Sequence, residues 1–493
     1  MSLYYPSDSI QFHFGNPYLR KLNRIVISYS SSIPVYVLCL SMNRDGYGSF
    51  QGTETDARTS ALSLFEPEII ERSIKERKEC IVRPNSISDQ GPIHITIQPE
   101  GDYFIDPASF EIHADFVIEK WDDSSKKYVS LADADKEKVA PISCFTSAIF
   151  RDCEIYFNQQ QISLVATTAY PIKAYLETIL SYNKTAAETL LATNYFFKHK
   201  PGKYDKIGAD AGDFATRHDL IAGSKKVRMC DILHTELTTM NRFLLPGLTI
   251  DFRLALNKPS VFLMHATTEQ YKLRFIDCYL KFDRLLLHEQ EHKSIESRMN
   301  SGSKAIYPIN RGTVRTKQIP AGELYARWQN LYSGTLPDDI LICMIDSGAF
   351  NGASDKNILH FQHFNIETIS LKVNSQSIPV VPLQCDFSKK DAMRAYRHMF
   401  NNLGIKKSNS PCLVTYEDFC KGVTIFPFDL TPDMCSSFHS HDKQSGNIEL
   451  DIRFKQALTR GITIVALCNF SDRIIITGPE SQREVHINPA LQG

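Results

Sequence analysis

Two stretches of the chain share one layout of apolar and polar positions. In Cys153 to Tyr182, Cys153, Ile155 and Phe157 alternate with polar or amphipathic neighbours, the period of a half-buried strand, and Asn158 to Gln161 supply a polar turn. Pro171 suits a first helical position, and Ile172, Tyr175, Leu176 and Ile179 recur at spacings of 3, 4 and 7, which predicts one apolar helical stripe. The layout returns in Glu367 to Leu403. There Ile369, Leu371 and Val373 alternate, Asn374 to Ser377 turn, and Ala392, Tyr396, Met399, Phe400 and Leu403 form the stripe, with Ser388 and Asp391 as a capping box. Asn158 and Asn374 are offset by 374 − 158 = 216, and Tyr175 and Tyr396 by 396 − 175 = 221, so the copies differ by a small insertion.

Alternation recurs along both halves. Ile93, Ile95 and Ile97, and then Phe110, Ile112, Ala114, Phe116 and Ile118, predict strands with one wet face. Leu248, Ile250, Phe252, Leu254 and Leu256 have a mate in Ile448, Leu450, Ile452 and Phe454; both carry Asp-apolar-Arg, at 451 − 251 = 200. In Tyr271 to Leu287 the apolar set changes parity between Phe275 and Ile276, which predicts a bulge. Ile340 to Ile345 and Ile462 to Phe470 are apolar on both sides, so a second sheet or a neighbouring subunit must cover them. Asp122 to Lys138 and Asn194 to Gly223 read as surface loops, Glu66 to Cys80 as a charged surface helix, and Glu289 to Lys304 as a polar linker. Residues 1–60 yield no assignment; Gly46-Tyr47-Gly48 lacks the third glycine and following helix of a phosphate loop. The expectation is a mainly β protein of two tandem eight-stranded antiparallel sandwiches of the jelly-roll kind, with short helices in the loops. Residues 1–85 form an N-terminal arm, 86–290 the first sandwich, 303–478 the second and 479–493 a tail.

Composition narrows the function. The 493 residues carry a formal net charge of −1, which gives no overall field to attract nucleic acid or an anionic membrane. Twelve cysteines are scattered without a C-x-x-C pair, which favours reduced thiols in the cytosol or nucleus and leaves Asn183-Lys184-Thr185 a formal sequon only. Ile25 to Met42 is too short and polar to span a bilayer, and reads as a strand pair or extension in preference to a signal peptide. His288-Glu289-Gln290-Glu291-His292 satisfies H-E-x-x-H, yet it follows an alternating strand, runs into the linker and has no third ligand in view, so a charged hairpin is the preferred reading. His439-Ser440-His441 with Asp442 reads as a solvated loop, Cys412 and Cys420 as inert thiols, and Lys225, Lys226 and Arg228 as a solvated edge. No catalytic, cofactor-binding or metal-binding residue is assigned.

The order of motifs resembles the double-jelly-roll major capsid protein of Polinton (Maverick) elements and adintoviruses. The stretches that carry the likeness are LFEPEI and GPIHITIQPEGDYFID, Tyr170 to Glu177, LHTELTTMNRFLLPGLTIDFRL, KAIYPINRGTVRTKQIPAG, Ala349 to Gly352, FQHFN, FPFDLTPD, and GNIELDIRFKQAL followed by ITIVALCNFSDRIIIT. They span residues 62–478, while residues 1–60 have no counterpart and His199 to Asp213 matches poorly. The resemblance implies a structural protein and no enzyme. Homotrimers would form pseudo-hexagonal capsomers that meet neighbouring capsomers and penton or minor capsid proteins in an icosahedral shell, with double-stranded DNA enclosed only indirectly and no membrane-spanning segment. It further implies synthesis in the cytoplasm, assembly in the host nucleus or cytoplasm, and residence in the virion capsid. The alternatives are a zinc-dependent hydrolase on a β-sandwich using His288, Glu289 and His292, and a host protein that keeps the sandwiches as a binding module.

Overall fold

The computed structural model describes residues 71–89, 91–132, 135–163, 169–266, 268–408, 412–434 and 441–487. Ile25 to Met42, Gly46 to Gly48, LFEPEI and His439 lie outside the described residues. Alternation in sequence becomes alternation of burial. In β3 (Phe104–Asp122), Phe110, Ile112, Ala114, Phe116 and Ile118 are buried, while Glu111, His113 and Asp115 turn to the other face.

Twenty strands, numbered in chain order among the described residues, make two sandwiches. In the first, one sheet runs β1 (Ile74–Val82), β11 (Tyr271–Leu287), β3, with β8 (Val227–Asp231) and β4 (Lys127–Ser130) paired to different lengths of β3. The facing sheet runs β2 (Ile93–Ile97), β9 (Ile250–Leu256), β6 (Phe150–Phe157), β7 (Gln160–Gln161), and β5 (Val139–Pro141) pairs β10 (Leu263–His265) apart from both. In the second sandwich the orders are β12 (Ala305–Ile319), β19 (Ile462–Thr477), β14 (Asp339–Asp346), β17 (Ile425–Asp429), and β13 (Tyr325–Thr335), β18 (Ser445–Phe454), β15 (Ile366–Val373), β16 (Gln376–Gln384). A short β20 (Glu484–Ile487) joins β19. Position for position, β1, β11, β3 and β8 correspond to β12, β19, β14 and β17, and β2, β9, β6 and β7 to β13, β18, β15 and β16. The protein is therefore a double jelly roll. Aromatic rings bridge the sheets of each core: Phe110 on β3 lies 5.5 Å from Phe252 on β9, and Tyr332 on β13 lies 5.2 Å from Phe470 on β19.

The duplication extends to single atoms. Asn158 and Gln159 have φ of 45° and 71°, and Asn374 and Ser375 have 48° and 71°, the left-handed pair of a type I′ hairpin. Each asparagine holds the strand beyond its hairpin. Asn158 N donates to Thr249 O at 3.0 Å and its Oδ1 accepts from Thr249 N at 2.8 Å; Asn374 does the same with Asn447, at 3.0 and 2.9 Å. A Cβ on Gly446 would stand 2.4 Å from Asn374 Oδ1, so only glycine fits beside this clasp.

The bulge expected in β11 is present, where the register to β3 slips between Phe275 and Asp277. Other expectations are corrected. Ile74 to Cys80, expected within a surface helix, belong to β1: Ile74, Cys80 and Val82 pack on the core while Arg77 pairs across the strands with Asp283. The chain from 289 to 300 is helical, not linker. Four helices matter below: α1 (Tyr170–Ser181), with Pro171 in its first turn, α2 (Glu289–Asn300), α3 (Met393–Asn402) and α4 (Tyr416–Lys421). The capping box expected at Ser388 and Asp391 is absent. Asp386 caps a short turn over Phe387–Lys389, α3 starts without a side-chain cap, and the reciprocal box joins Thr415 to Asp418 on α4.

Replacing Asn374 with Ala removes the clasp and strains a positive φ. The expected loss of about 1–2 kcal/mol, measured by urea unfolding, should shrink with Asn374→Gly, which keeps the backbone freedom.

Candidate functional site

Of the residues weighed for zinc chemistry, His288 is the residue before α2, with extended backbone, and is not on the helical face that carries His292. The H-E-x-x-H logic needs both imidazoles on one helical face, and this pair fails it. Glu289 is exposed and bonds Lys293. His292 Nδ1 instead lies 3.6 Å from Asp102, with Glu480 close by, and its ring meets Phe104 edge-on. His441 pairs with Asp433 at 3.0 Å. The ten cysteines among the described residues are free, and burial raises the Cys412 thiol to about 11. Lys226 and Arg228 both bond Asp115 on the neighbouring strand, at 2.7 and 3.0 Å, so this basic run is a paired edge.

A buried polar assembly lies between the sandwiches. Ile340 to Ile345 of β14 and Ile462 to Cys468 of β19 are buried on both faces, as expected from their sequences. One face belongs to the second core. The other meets α1 of the first half: Leu176 and Leu180 line a cavity of about 210 Å³ together with Leu341 and Leu467, and a Cβ on Gly312 would stand 3.5 Å from Lys173 Cε. Tyr175 on α1 lies 5.8 Å from the Phe361 ring, and Ile179 O accepts from Leu413 N at 3.0 Å. The cover is thus found within the chain itself. Charges at this seam are matched: Lys173 lies 3.5 Å from Glu236 and 4.0 Å from Glu177, and His234 Nδ1 lies 2.8 Å from Glu177. Burial opposes a charge on His234, but Glu177 outweighs it and holds the imidazole above its usual range.

Residues 194–223, expected as a surface loop, are a strap packed into the same seam. Tyr204, Phe214 and Arg217 are buried, as is His199. The polar groups survive burial because each finds a partner. His199 Nδ1 meets Asp213 at 2.9 Å, Arg217 Nε meets the same carboxylate at 3.2 Å, and an Arg217 amine donates to Pro141 O. The strap also grips the second half. Asp205 accepts from Asn357 N at 2.9 Å and meets His360 Nδ1 at 2.6 Å, Lys198 reaches Asp418 at 2.9 Å, and Gly202 N donates to Lys421 O at 2.8 Å. Tyr204 lies so close to Gly422 that a Cβ there would be 2.2 Å from its ring. At the far end Tyr307 accepts from Leu245 N at 3.2 Å, and Arg483 donates to Pro246 O at 3.3 Å and pairs with Glu296.

The outward surface carries a different feature. Val380 is 88% exposed, with Val381 and Met393 beside it, on the edge strand β16 and the start of α3. Tyr325 and Leu324 are exposed at the opposite edge, β13. Among the described residues no helix is long and apolar enough to cross a membrane.

No protein-family model matches the chain. An uncharacterised Caenorhabditis elegans protein, F54H12.2, is 24% identical over 329 residues, which span 65% of this chain and 76% of that one. Among solved structures, a chain of the Sputnik virophage matches 93% of this chain and 94% of its own, with a TM-score of 0.56 at 12% identity. The mavirus major capsid protein matches 93% and 97%, with a TM-score of 0.48 at 11% identity. The likeness to the Sputnik chain agrees with the double jelly roll traced above from strand order.

Gly422→Ala should destabilise the fold by about 1–3 kcal/mol through overpacking against Tyr204, read as a lower urea midpoint. Acid should act through two further histidines. Burial holds His363 and His398 at about 4, below the ordinary 6.5. Their contribution is complete above about 6.5 and is lost as pH falls from there through about 4, because the unfolded chain takes up the protons first. Unfolding midpoints measured from pH 7 to 4 should therefore fall less steeply in the variant carrying both His363→Asn and His398→Asn.

Proposed function

We propose that the protein is a major capsid protein, whose work is done by packing and symmetry and not by catalysis. The observation that carries this reading is two eight-stranded sandwiches with matching strand order, locked side by side in one chain. Three such chains present six sandwiches around an axis, the geometry of a pseudo-hexagonal capsomer that can tile an icosahedral shell. A ring of three requires heterologous contacts, in which one patch of each chain meets a different patch of the next. Permanent interfaces of this sort commonly bury about 2,000 Å² or more. The exposed apolar residues on the edge strands of the second sandwich, Val380 and Val381 above all, supply surface for such contacts.

The net charge of −1 suits a shell whose double-stranded DNA is enclosed without being condensed by the coat. In this reading the chain belongs with the capsid proteins of Polinton (Maverick) elements and adintoviruses, on the motif order given above. Its partners are two further copies, adjoining capsomers and vertex proteins, and its place is the virion. The hydrolase alternative has no support in the placement of His288 and His292.

Light scattering coupled to size-exclusion chromatography should give a trimer for the purified full chain, with capsomers or shells by negative-stain microscopy; a stable monomer at micromolar concentration refutes the proposal. Val380→Asp combined with Val381→Asp should lower the trimer fraction while leaving the unfolding midpoint of the chain unchanged.

A further inference from the structure

Outside the seam, the wet face of the first sandwich holds a cluster that the capsid reading leaves unused. β3 and β8 pair so that His113 stands directly opposite Cys230, and Glu111 lies two residues from His113 on the same face. Three donor atoms converge there. Cys230 Sγ is 3.4 Å from His113 Nε2 and 3.8 Å from Glu111 Oε2, and Nε2 is 3.1 Å from Oε2. The His113 ring is held flat against Tyr279, with centroids 4.9 Å apart, and the Arg83 guanidinium lies over the Tyr279 ring at 5.2 Å. All three donors are partly buried.

We propose that Cys230, His113 and Glu111 form a zinc-binding site. Zinc bonds sulfur at about 2.3 Å and nitrogen or carboxylate oxygen at about 2.0–2.2 Å in tetrahedral array, which sets donor-to-donor edges of roughly 3.3–3.6 Å. The three edges found here, 3.1, 3.4 and 3.8 Å, bracket that range, so the metal needs only small side-chain adjustments. Thiol, imidazole and carboxylate together favour zinc over calcium or magnesium, which prefer all-oxygen shells. Both strands belong to a paired sheet, so the ligands sit on rigid backbone. Binding releases the thiol proton to solvent and leaves the thiolate on the metal. Lys281 Nζ, 3.2 Å from Glu111 Oε2, gives up that oxygen to the metal. Three protein donors leave one tetrahedral position for water. The site stands on the geometry of the first sandwich alone and does not depend on the capsid reading.

The test uses the full chain, reduced and stripped of metal by chelation, and titrates it with zinc against a competing indicator dye. One equivalent per chain is expected, with affinity falling by at least about tenfold in Cys230→Ser and in His113→Gln, and unchanged in Cys412→Ser. Cobalt in place of zinc should give a thiolate-to-metal absorption band that Cys230→Ser abolishes. Absence of binding, binding that survives both substitutions, or cobalt bound without the sulfur band overturns the proposal. If the His113 variant fails to fold by circular dichroism, Glu111→Gln takes its place, and the cobalt spectrum of the unaltered chain decides alone. Trimer formation is measured in parallel, so a monomer that binds zinc refutes only the capsid reading.

Discussion

Two adjacent strands of the second sandwich, β14 over Ile340 to Asp346 and β19 over Ile462 to Cys468, have no wet face. Leu341 and Leu467 point away from their own core, and by the alternation of strands Cys343 and Val465 join them. Left in water, such a face costs roughly 25 cal/mol for each Å² of apolar surface, so it needs a cover. Helix α1 of the first sandwich provides it, and the rest of the seam follows from that contact. Gly312 lies under Lys173 with Asn469 Oδ1 3.0 Å from where a Cβ would stand, Gly422 is small because Tyr204 lies on it, and the strap brings charged groups that are paired either within itself, as His199 is with Asp213, or across the seam, as Asp205 is with His360. The two halves are thus one body joined through an apolar interface with a matched polar border.

That joint gives the duplicated fold its orientation. A repeated domain on a flexible tether would present its faces at any angle. Here the strap, helix α2 and the segment around Arg483 each tie one half to the other, from separate parts of the sequence. The capsid role proposed above would require this rigidity, because small angular errors between the halves would accumulate around a ring.

Much of the architecture was legible in the chain. Period-two runs marked the strands of both cores, the parity change at Phe275 marked a real bulge, and Asn158 and Asn374 marked equivalent hairpins whose bonding proved the same. Part of what escaped reading has partners far away in sequence. β1 looks like a charged helix until Arg77 meets Asp283, some two hundred residues later. Arg217 looks like a loop residue until Pro141 O, 76 positions earlier, absorbs its polarity. The pairing of His113 with Cys230 was equally invisible, since only strand register places residues 117 positions apart face to face. His292 was noticed for the wrong neighbour, because a regular expression counts along the chain and ignores where the helix begins.

The direction of the seam has a consequence for biosynthesis. Helix α1 ends at Ser181 and β14 starts at Asp339, so the ribosome makes the cover 339 − 181 = 158 positions ahead of the surface that requires it. The greasy strands of the later sandwich emerge beside a docking helix already in place, which shortens the interval in which they could stick to another nascent copy. The reverse arrangement of the two halves would expose that surface throughout translation of its partner.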